Sequence, residues 1–567
     1  MFGKQLVGIG PAWPEGIGQY WRMKMPAWIS VGVVGLLLVL LGAWPLIPPS
    51  SASIDAAVTD FSATRAFAHV EQIAVSPHPM GSDNLPEVRS YIVGQLAEMG
   101  LPPELQTSEA PDYFGQPGRT VPVVNVLARM EGSGSTGAIV LMAHYDTVPS
   151  TPGANDNSAA VATVLETARA LTAGSVLDND VILLFTDGEE PAPRFGSSAF
   201  VDGHPWMSDI RLVFNFEAIG GSGASLLIDV SGPDRSMIEQ YITAIPHPAA
   251  FSFVTELSRL IGGSVTDFSE FRDVGVAGFD FAYMHGSPIY HTAADNTDSV
   301  GLRSLQHHGS AALALTKHFG AMDLNEPTDD SGVVFFTVGG SWVVRYSYVL
   351  AAALAVVLVF GFAGLSFSGR GVGSLRQLLS GAWKAFLAVL GGSVVVSLIW
   401  WLITIFRETP GMWESYLYLI AILLVGGLAF VGLVRRSERR TEQDLAGGAL
   451  LVWVVLAALT GFALPGMSYL FLWPALVGLI VTAASGPSSR LGRIVDGLAV
   501  ALPAAVVMIP AMDFFFQVAQ PRPGNPGSQL VYLVAITAFV GLLVVSLLRP
   551  FWAPPRSLGD RSPTAAA

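Results

Sequence analysis

Ala138-Ile-Val-Leu-Met-Ala-His144-Tyr-Asp146 is the stretch on which the fold turns. Six apolar residues run without alternation and stop at a histidine and an aspartate. Such a run predicts a strand covered on both faces, as in a parallel sheet, rather than a half-solvated antiparallel strand. Asp180-Val-Ile-Leu-Leu-Phe-Thr186 has the same form and leads into Asp187-Gly-Glu189-Glu190. Leu212-Val-Phe-Asn-Phe216, just before Glu217, and Ala277-Gly-Phe-Asp-Phe-Ala282 read as two further strands. Between the first two runs, Ser158 to Leu171 has the composition and periodicity of a helix. Strands alternating with helices predict an α/β domain with a mixed, mostly parallel sheet flanked by helices.

That domain cannot be the whole chain. The 567 residues are 51% hydrophobic and 13% charged, with a mean hydropathy of +0.51, too apolar for one ordinary soluble protein. Charge is unevenly divided. Residues 56–340 hold 34 Asp+Glu against 12 Lys+Arg, a net of −22, and the remainder is +8. An acidic domain of this kind excludes a basic nucleic-acid-binding face. There is no cysteine, so a metal could be held only by histidine and carboxylates.

An apolar run near 27–47 follows a polar-aromatic segment, 1–26. It is longer than a signal-peptide core and reads as a retained anchor. Residues 56–327 form the α/β domain. From 343 to 548 the expectation is a seven-span α-helical membrane domain, with spans near 343–366, 383–406, 415–434, 446–464, 467–484, 494–516 and 530–548. Pro465-Gly466 reads as a tight turn or a break, and Pro503 and Pro510 as kinks. Residues 549–567 form a tail. Basic residues cluster before the first span and after the second, fourth, sixth and eighth, for example Arg435, Arg436, Arg439 and Arg440. By the positive-inside rule both termini are cytoplasmic, which puts residues 56–340 on the opposite face. Arg345 and Asp513 lie toward span ends and read as interfacial anchors. No repeat, heptad array or nucleotide-binding glycine fingerprint is present.

Chemistry concentrates in five stretches: His144-Tyr-Asp146, Ala154-Asn-Asp156-Asn, Asp187-Gly-Glu189-Glu190, Asn215-Phe-Glu217-Ala and Tyr290-His291-Thr. Taken singly, each has an ordinary structural reading. His-x-Asp could be a core pair, Asp156 could belong to a helix N-cap, and Glu189-Glu190 could be an exposed acidic turn. Together they change the odds, because four of them follow sheet-like runs or enter helices. Ligand sites of open α/β sheets lie beyond the carboxyl ends of the strands. Adjacent carboxylates there repel unless a cation compensates, so one of Glu189 and Glu190 fits a metal ligand and the other a general base.

On these stretches the chain resembles the co-catalytic di-zinc metallopeptidases, a family that includes aminopeptidases, some carboxypeptidases and glutaminyl cyclases. The resemblance covers roughly residues 65–320. It includes Ser76-Pro-His-Pro-Met-Gly-Ser82, Val88-Arg-Ser-Tyr and Thr266-Asp-Phe-Ser-Glu-Phe-Arg272. The added spans resemble those of the multi-spanning endoplasmic-reticulum and vacuolar members, although eight spans are counted here and nine are usual there. The resemblance implies two Zn2+ ions bridged by Asp156, one completed by His144 and Glu217, the other by Glu190 and His291. It implies Glu189 as general base and acid, Asp146 as the residue orienting His144, and Tyr290 as a candidate for stabilising an oxyanion. Glu217 stands where many members have Asp. Pro191-Ala-Pro-Arg194-Phe-Gly-Ser replaces a Gly-Leu-rich version.

The implied activity is peptide-bond hydrolysis at free N-termini of peptides or proteins, beside a lipid bilayer. Glutaminyl cyclase or carboxypeptidase action on the same scaffold is the nearest alternative. A non-catalytic membrane chaperone or interaction protein stands further off, because every ligand type is present. A transporter is disfavoured by the scarcity of charge within the spans.

Overall fold

The computed structural model describes residues 27–191, 194–232, 234–326, 328–368, 374–406, 439–484, 490–520 and 531–541, apart from 539, together with the isolated positions 417 and 420. Seven strands form one sheet: β1 (Glu104–Pro111), β2 (Thr120–Met130), β3 (Ala138–His144), β4 (Asp180–Thr186), β5 (Ile210–Ala218), β6 (Leu226–Ser231) and β7 (Ala277–Tyr283), in the order β1-β2-β4-β3-β5-β7-β6. The four central strands are parallel, with His144 beside Thr186 and Glu217 beside Ala282. The edges are antiparallel. Every residue of β3 and β4 is buried, as their unbroken apolar character requires.

Helices cover both faces. In chain order the domain carries α2 (Ala63–Ile73), α3 (Leu85–Glu98), α4 (Ala160–Thr172), α5 (Phe195–Gly203), α6 (Asp234–Ala244), α7 (Ser252–Leu260), α8 (Phe268–Asp273) and α9 (Leu302–Gly320), after α1 (Ala27–Ala43). Alternation along β3 sorts the packing. Ile139, Leu141 and Ala143 join Val161, Val164 and Leu165 of α4 and Leu315 of α9. Val140 and Met142 face Phe200 of α5 and Phe268 and Phe271 of α8. Gly309 of α9 lies against the Phe61 ring, where a Cβ would come within 2.1 Å of it.

A hairpin, β8 (Val333–Val338) and β9 (Trp342–Ser347), then leads into a helical bundle. The bundle comprises α10 (Tyr348–Phe367), α11 (Leu375–Phe406), α12 (Arg439–Ala463), α13 (Tyr469–Ala484) and α14 (Arg490–Ala519). The expected span at 343–366 is corrected here, because residues 343–347 are strand and the helix begins at Tyr348. Val343, Val344 and Tyr346 pair with β8, and the Ser347 hydroxyl caps the helix by accepting from the Leu350 N–H. Only Arg345 and Ser347 separate their apolar side chains from those of α10 in the sequence, which blurs the boundary. Pro465–Met467 is a 3-10 turn between α12 and α13. The expected span at 415–434 lies outside the described residues except for two positions, and that at 530–548 is described only in part.

Among the described residues, three helices are long and apolar enough to cross a membrane: Tyr348–Phe367, Leu375–Leu402 and Val495–Ala519. Val357, Phe360, Leu398 and Trp401 are exposed on the outside of the bundle. Such a surface is unfavourable in water and suits lipid. The α/β domain and bundle share a continuous core, in which Phe251, Phe253 and Phe336 meet Tyr469, Phe514 and Phe515. Phe336 stacks on Tyr469 with ring centroids 4.4 Å apart.

Candidate metal centre

The five stretches converge beyond the carboxyl ends of β3, β4, β5 and β7. His144 ends β3. After β4 the chain turns sharply at Gly188, where φ is +73° and a Cβ would press on Met80 Sδ at 2.9 Å. Glycine adopts that conformation without steric cost. The turn presents Glu189 and Glu190, and the Asp146 carboxylate accepts their backbone N–H groups at 3.0 and 3.3 Å. The His144 ring nitrogen Nδ1 lies 3.1 Å from the Asp146 carbonyl and 3.5 Å from its carboxylate. Asp146 therefore holds the acidic turn as well as facing the imidazole.

Asp156 sits where the chain enters α4. The Asp295 carboxylate fixes this entry by accepting from the backbone N–H of Asn155 and of Asp156, at 2.8 and 3.1 Å. Glu217, near the end of β5, is held at both oxygens. Asn215 donates to Oε1 at 3.1 Å and Asn157 to Oε2 at 3.0 Å. Behind them the buried Asp280 accepts from Asn215 and Thr266. The long arm of Glu217 is thus constrained by two amides. His291 follows a 3-10 turn and adopts φ +60°. The Tyr290 ring stacks on the His291 imidazole at 3.8 Å.

Two triangles share Asp156. His144 Nε2 is 3.3 Å from Asp156 Oδ1 and 3.5 Å from Glu217 Oε2. His291 Nε2 is 3.2 Å from Asp156 Oδ2 and 3.0 Å from Glu190 Oε2. His144, Asp156 and Glu190 also bring donor atoms within 4.8 Å of one another, so the triangles are parts of one centre. Ligands about 2.0–2.1 Å from a tetrahedral ion lie roughly 3.3 Å apart, which matches these separations. Hydrogen bonding does not explain them: Asp156 Oδ2, Glu190 Oε1 and His291 Nε2 are buried and make no hydrogen bond. Buried polar atoms without partners call for an ion or water. The donors present fit a metal pair.

Electrostatics point the same way. Burial raises the Glu189 and Glu217 carboxyls above their ordinary range, and burial with the nearby Asp156 pushes Glu190 up to about 8. Burial works against charge on both histidines, but the surrounding carboxylates outweigh it, raising His144 and bringing His291 to about 10. Burial disfavours charge on Asp156 too, yet its two imidazole partners hold it below the usual carboxylate range. Three of the four carboxyls in this buried site thus resist ionisation beside the fourth, which a cation would relieve.

All eight residues named from the sequence lie in or beside this centre. Sequence reasoning assigned no role to Asn157, Asn215, Asp280 or Asp295, or to Asp267, which accepts from Thr186 and Ser197. A signal existed for two of them: Asn215 and Asp280 each interrupt an apolar strand, and buried polar residues in such places are rarely accidental. Arg194, in the divergent segment after Glu190, pairs with Glu270 at 3.0 Å, while residues 192–193 lie outside the described residues.

Fold and donor set define a class: an α/β domain with a buried centre of two histidines and several carboxylates at the open end of a mostly parallel sheet. Residues 125–316 match the family model for Peptidase family M28. The chain is 28% identical over 458 residues to endoplasmic reticulum metallopeptidase 1 of Mus musculus, covering 75% of this chain and 50% of that protein. It is 30% identical over 305 residues to the vacuolar membrane protease of Eremothecium gossypii, covering 50% of this chain and 29% of that one. The chain thus spans about half the length, or less, of these curated relatives. Among solved structures, the aminopeptidase from Aneurinibacillus sp. strain AM-1 aligns at 14% identity and TM-score 0.40, over 48% of this chain and 98% of that one.

Proposed function

We propose that this chain is a membrane-anchored di-zinc metallopeptidase, and specifically an aminopeptidase acting on the N-termini of peptides or proteins on the non-cytoplasmic side. The observation that carries the reading is Asp156, whose two carboxylate oxygens each face a different histidine. His144 and Glu217 would hold one ion, His291 and Glu190 the other, and Asp156 both. The match of residues 125–316 to a peptidase family supports the reaction class. The alternation of basic loops supports both termini being cytoplasmic.

When bound, zinc would polarise a scissile carbonyl and acidify water. The chain's own residues supply the rest. Glu189 lies 3.9 Å from His144 Nε2, and its backbone is fixed by Asp146. Its raised pKa suits a group that accepts a proton from water and passes it to the leaving amine. Asn215 and Asn157 orient Glu217, and Asp295 orients the Asp156 turn. Tyr290 braces the His291 ring and is the candidate for stabilising an oxyanion.

Glu189→Gln in the full chain is expected to keep two zinc ions per chain while turnover of a free-N-terminus peptide falls at least about 100-fold. An active Glu189→Gln enzyme overturns the assignment. A panel of peptides with free and blocked ends distinguishes aminopeptidase from carboxypeptidase action. N-terminal pyroglutamate as product would indicate a cyclase.

A further inference from the structure

Beyond the end of β7 at Tyr283, the loop that carries Tyr290 and His291 runs onto the bundle. His285 Nε2 lies 2.7 Å from Asp513 Oδ2 of α14, and the buried Ser287 hydroxyl donates to the Gln517 carbonyl at 2.7 Å. Asp513 and Gln517 are one turn apart on α14, and the Gln517 amide donates back to Asp513 Oδ1 at 3.3 Å. On the other side, the His285 backbone is tied to the 220–222 turn: the N–H groups of Gly221 and Ser222 donate to its carbonyl, and its own N–H donates to the Ser222 carbonyl. Asp513, read from the sequence as an interfacial anchor, thus faces a residue of the α/β domain. It is one end of a part-buried ion pair.

The backbone six residues further on is the second observation. His291 adopts φ +60°, a left-handed conformation uncommon for a residue other than glycine. A side chain persists there only when its surroundings hold the backbone. Two attachments flank it. One is the pair of contacts to α14, and the other is the Ser150 hydroxyl, which donates to the His291 carbonyl at 2.9 Å.

We infer that α14 positions the His291 loop: Asp513, acting through His285, and the Gln517 carbonyl, acting through Ser287, hold the segment that delivers one histidine of the metal centre. The bundle is then more than an anchor, because one of its helices sets the geometry of the proposed catalytic site. Burial works against charge on His285, and the Asp513 carboxylate outweighs it, so the imidazole pKa lies above its ordinary value. Asp513, His285, Ser287 and Gln517 are positioning residues; none is itself a donor of the centre. The consequence for zinc rests on the di-zinc reading above. The docking of the loop does not.

The test uses the full chain in detergent micelles, made metal-free with a chelator. Hydrogen exchange of peptides spanning 284–295 is expected to speed up about tenfold or more in Asp513→Asn, since a charge-assisted bond is lost. Ser287→Ala, which leaves the ion pair intact, is expected to speed it about fivefold. Zn2+ is then titrated against a chromophoric chelator. In Asp513→Asn one of two zinc affinities should fall about 10- to 100-fold while the other holds, as when groups supporting a metal ligand are removed. Asp513→Glu should recover part of the loss. In a His291→Ala background, Asp513→Asn should change zinc binding no further. Unchanged exchange in both Asp513→Asn and Ser287→Ala overturns the inference. Faster exchange in a protein that binds no zinc upholds the docking and refutes the metal reading instead.

Discussion

Among the described residues of the α/β domain, nine buried side-chain atoms lack a hydrogen-bond partner, and five of them belong to the metal centre and the two amides that hold Glu217: Asp156 Oδ2, Asn157 Oδ1, Glu190 Oε1, Asn215 Oδ1 and His291 Nε2. In the helical bundle, such atoms are strung along helices: Ser393 Oγ, Ser397 Oγ and Trp400 Nε1 on α11, Trp453 Nε1 on α12 and Trp473 Nε1 on α13. The same deficit has opposite meanings. Convergent donors with carboxylates and imidazoles mark a place for a cation. Isolated hydroxyls and indoles inside an apolar bundle mark side chains chosen for volume. The difference predicts that substituting these unpartnered polar groups matters greatly in the first region and little in the second.

The sharpest stability test is Glu166, on α4 and fully buried. Its carboxylate takes bonds from Arg65 Nε at 2.8 Å, from Arg169 Nε at 2.5 Å and from the Ser62 N–H at 3.1 Å. It thereby ties the segment before α2 to the helix entered from Asp156. Removing one partner of a buried pair leaves uncompensated charge and an unsatisfied donor. Glu166→Ala is expected to cost about 3 kcal/mol, the lower end for such losses because both arginines keep some solvent. Chemical denaturation of the full chain in detergent, followed by a probe in the α/β domain, measures it. A cost below about 1 kcal/mol would break the comparison from the α/β side.

Acid should separate the regions next. All ten histidines fall between His69 and His318. His307 on α9 is buried, with Nδ1 accepting from the Ser225 N–H and Nε2 against the His247 carbonyl. Burial pushes its pKa down to about 4. The unfolded chain takes up a proton near pH 6.5 and the folded chain does not. Stability from this group is therefore complete above about pH 6.5 and declines as pH falls toward 4. At pH 5 the loss is about 2 kcal/mol. His307→Gln should be less stable at pH 7, yet should lose about 2 kcal/mol less than the parent between pH 7 and pH 5. Equal pH slopes in the two proteins would show that His307 does not titrate as its burial requires.

Legibility followed the same division. The central strands could be read because burial on both faces leaves unbroken apolar runs, and the site could be read because its donors stand at the ends of those runs. His144 and Glu217 are examples. The supporting polar layer was less visible: Asp295 and Asn157 act through local turns and amide bonds that have no spacing rule. β1, Glu104–Pro111, is largely exposed and polar, so it gave no apolar signal at all. In the bundle, helices that are apolar on every side carry no periodicity to show which face packs. The start of α10 differs for a related reason: the apolar and aromatic residues of β9 run on into those of the helix, with only Arg345 and Ser347 between them. Asp513 was visible as a charge, but its partner His285 lies 228 residues away, a pairing that only the fold brings together.

The smallest effect belongs to Ser397. It is buried on α11, its hydroxyl has no partner, and Val396 and Trp400 beside it belong to the bundle core. Replacing a buried, unpaired hydroxyl by hydrogen removes a desolvation penalty and loses no bond. It leaves a gap no larger than one oxygen, and alanine is the better helix former. Ser397→Ala is therefore expected to change unfolding stability by less than about 0.5 kcal/mol, and toward stabilisation. Thermal melting of the full chain in detergent, read beside Glu166→Ala, supplies the contrast. A loss above about 1 kcal/mol would mean that the Ser397 hydroxyl has a partner after all. Scattered polar atoms of the bundle would then have to be read, like those of the α/β domain, as parts of a site.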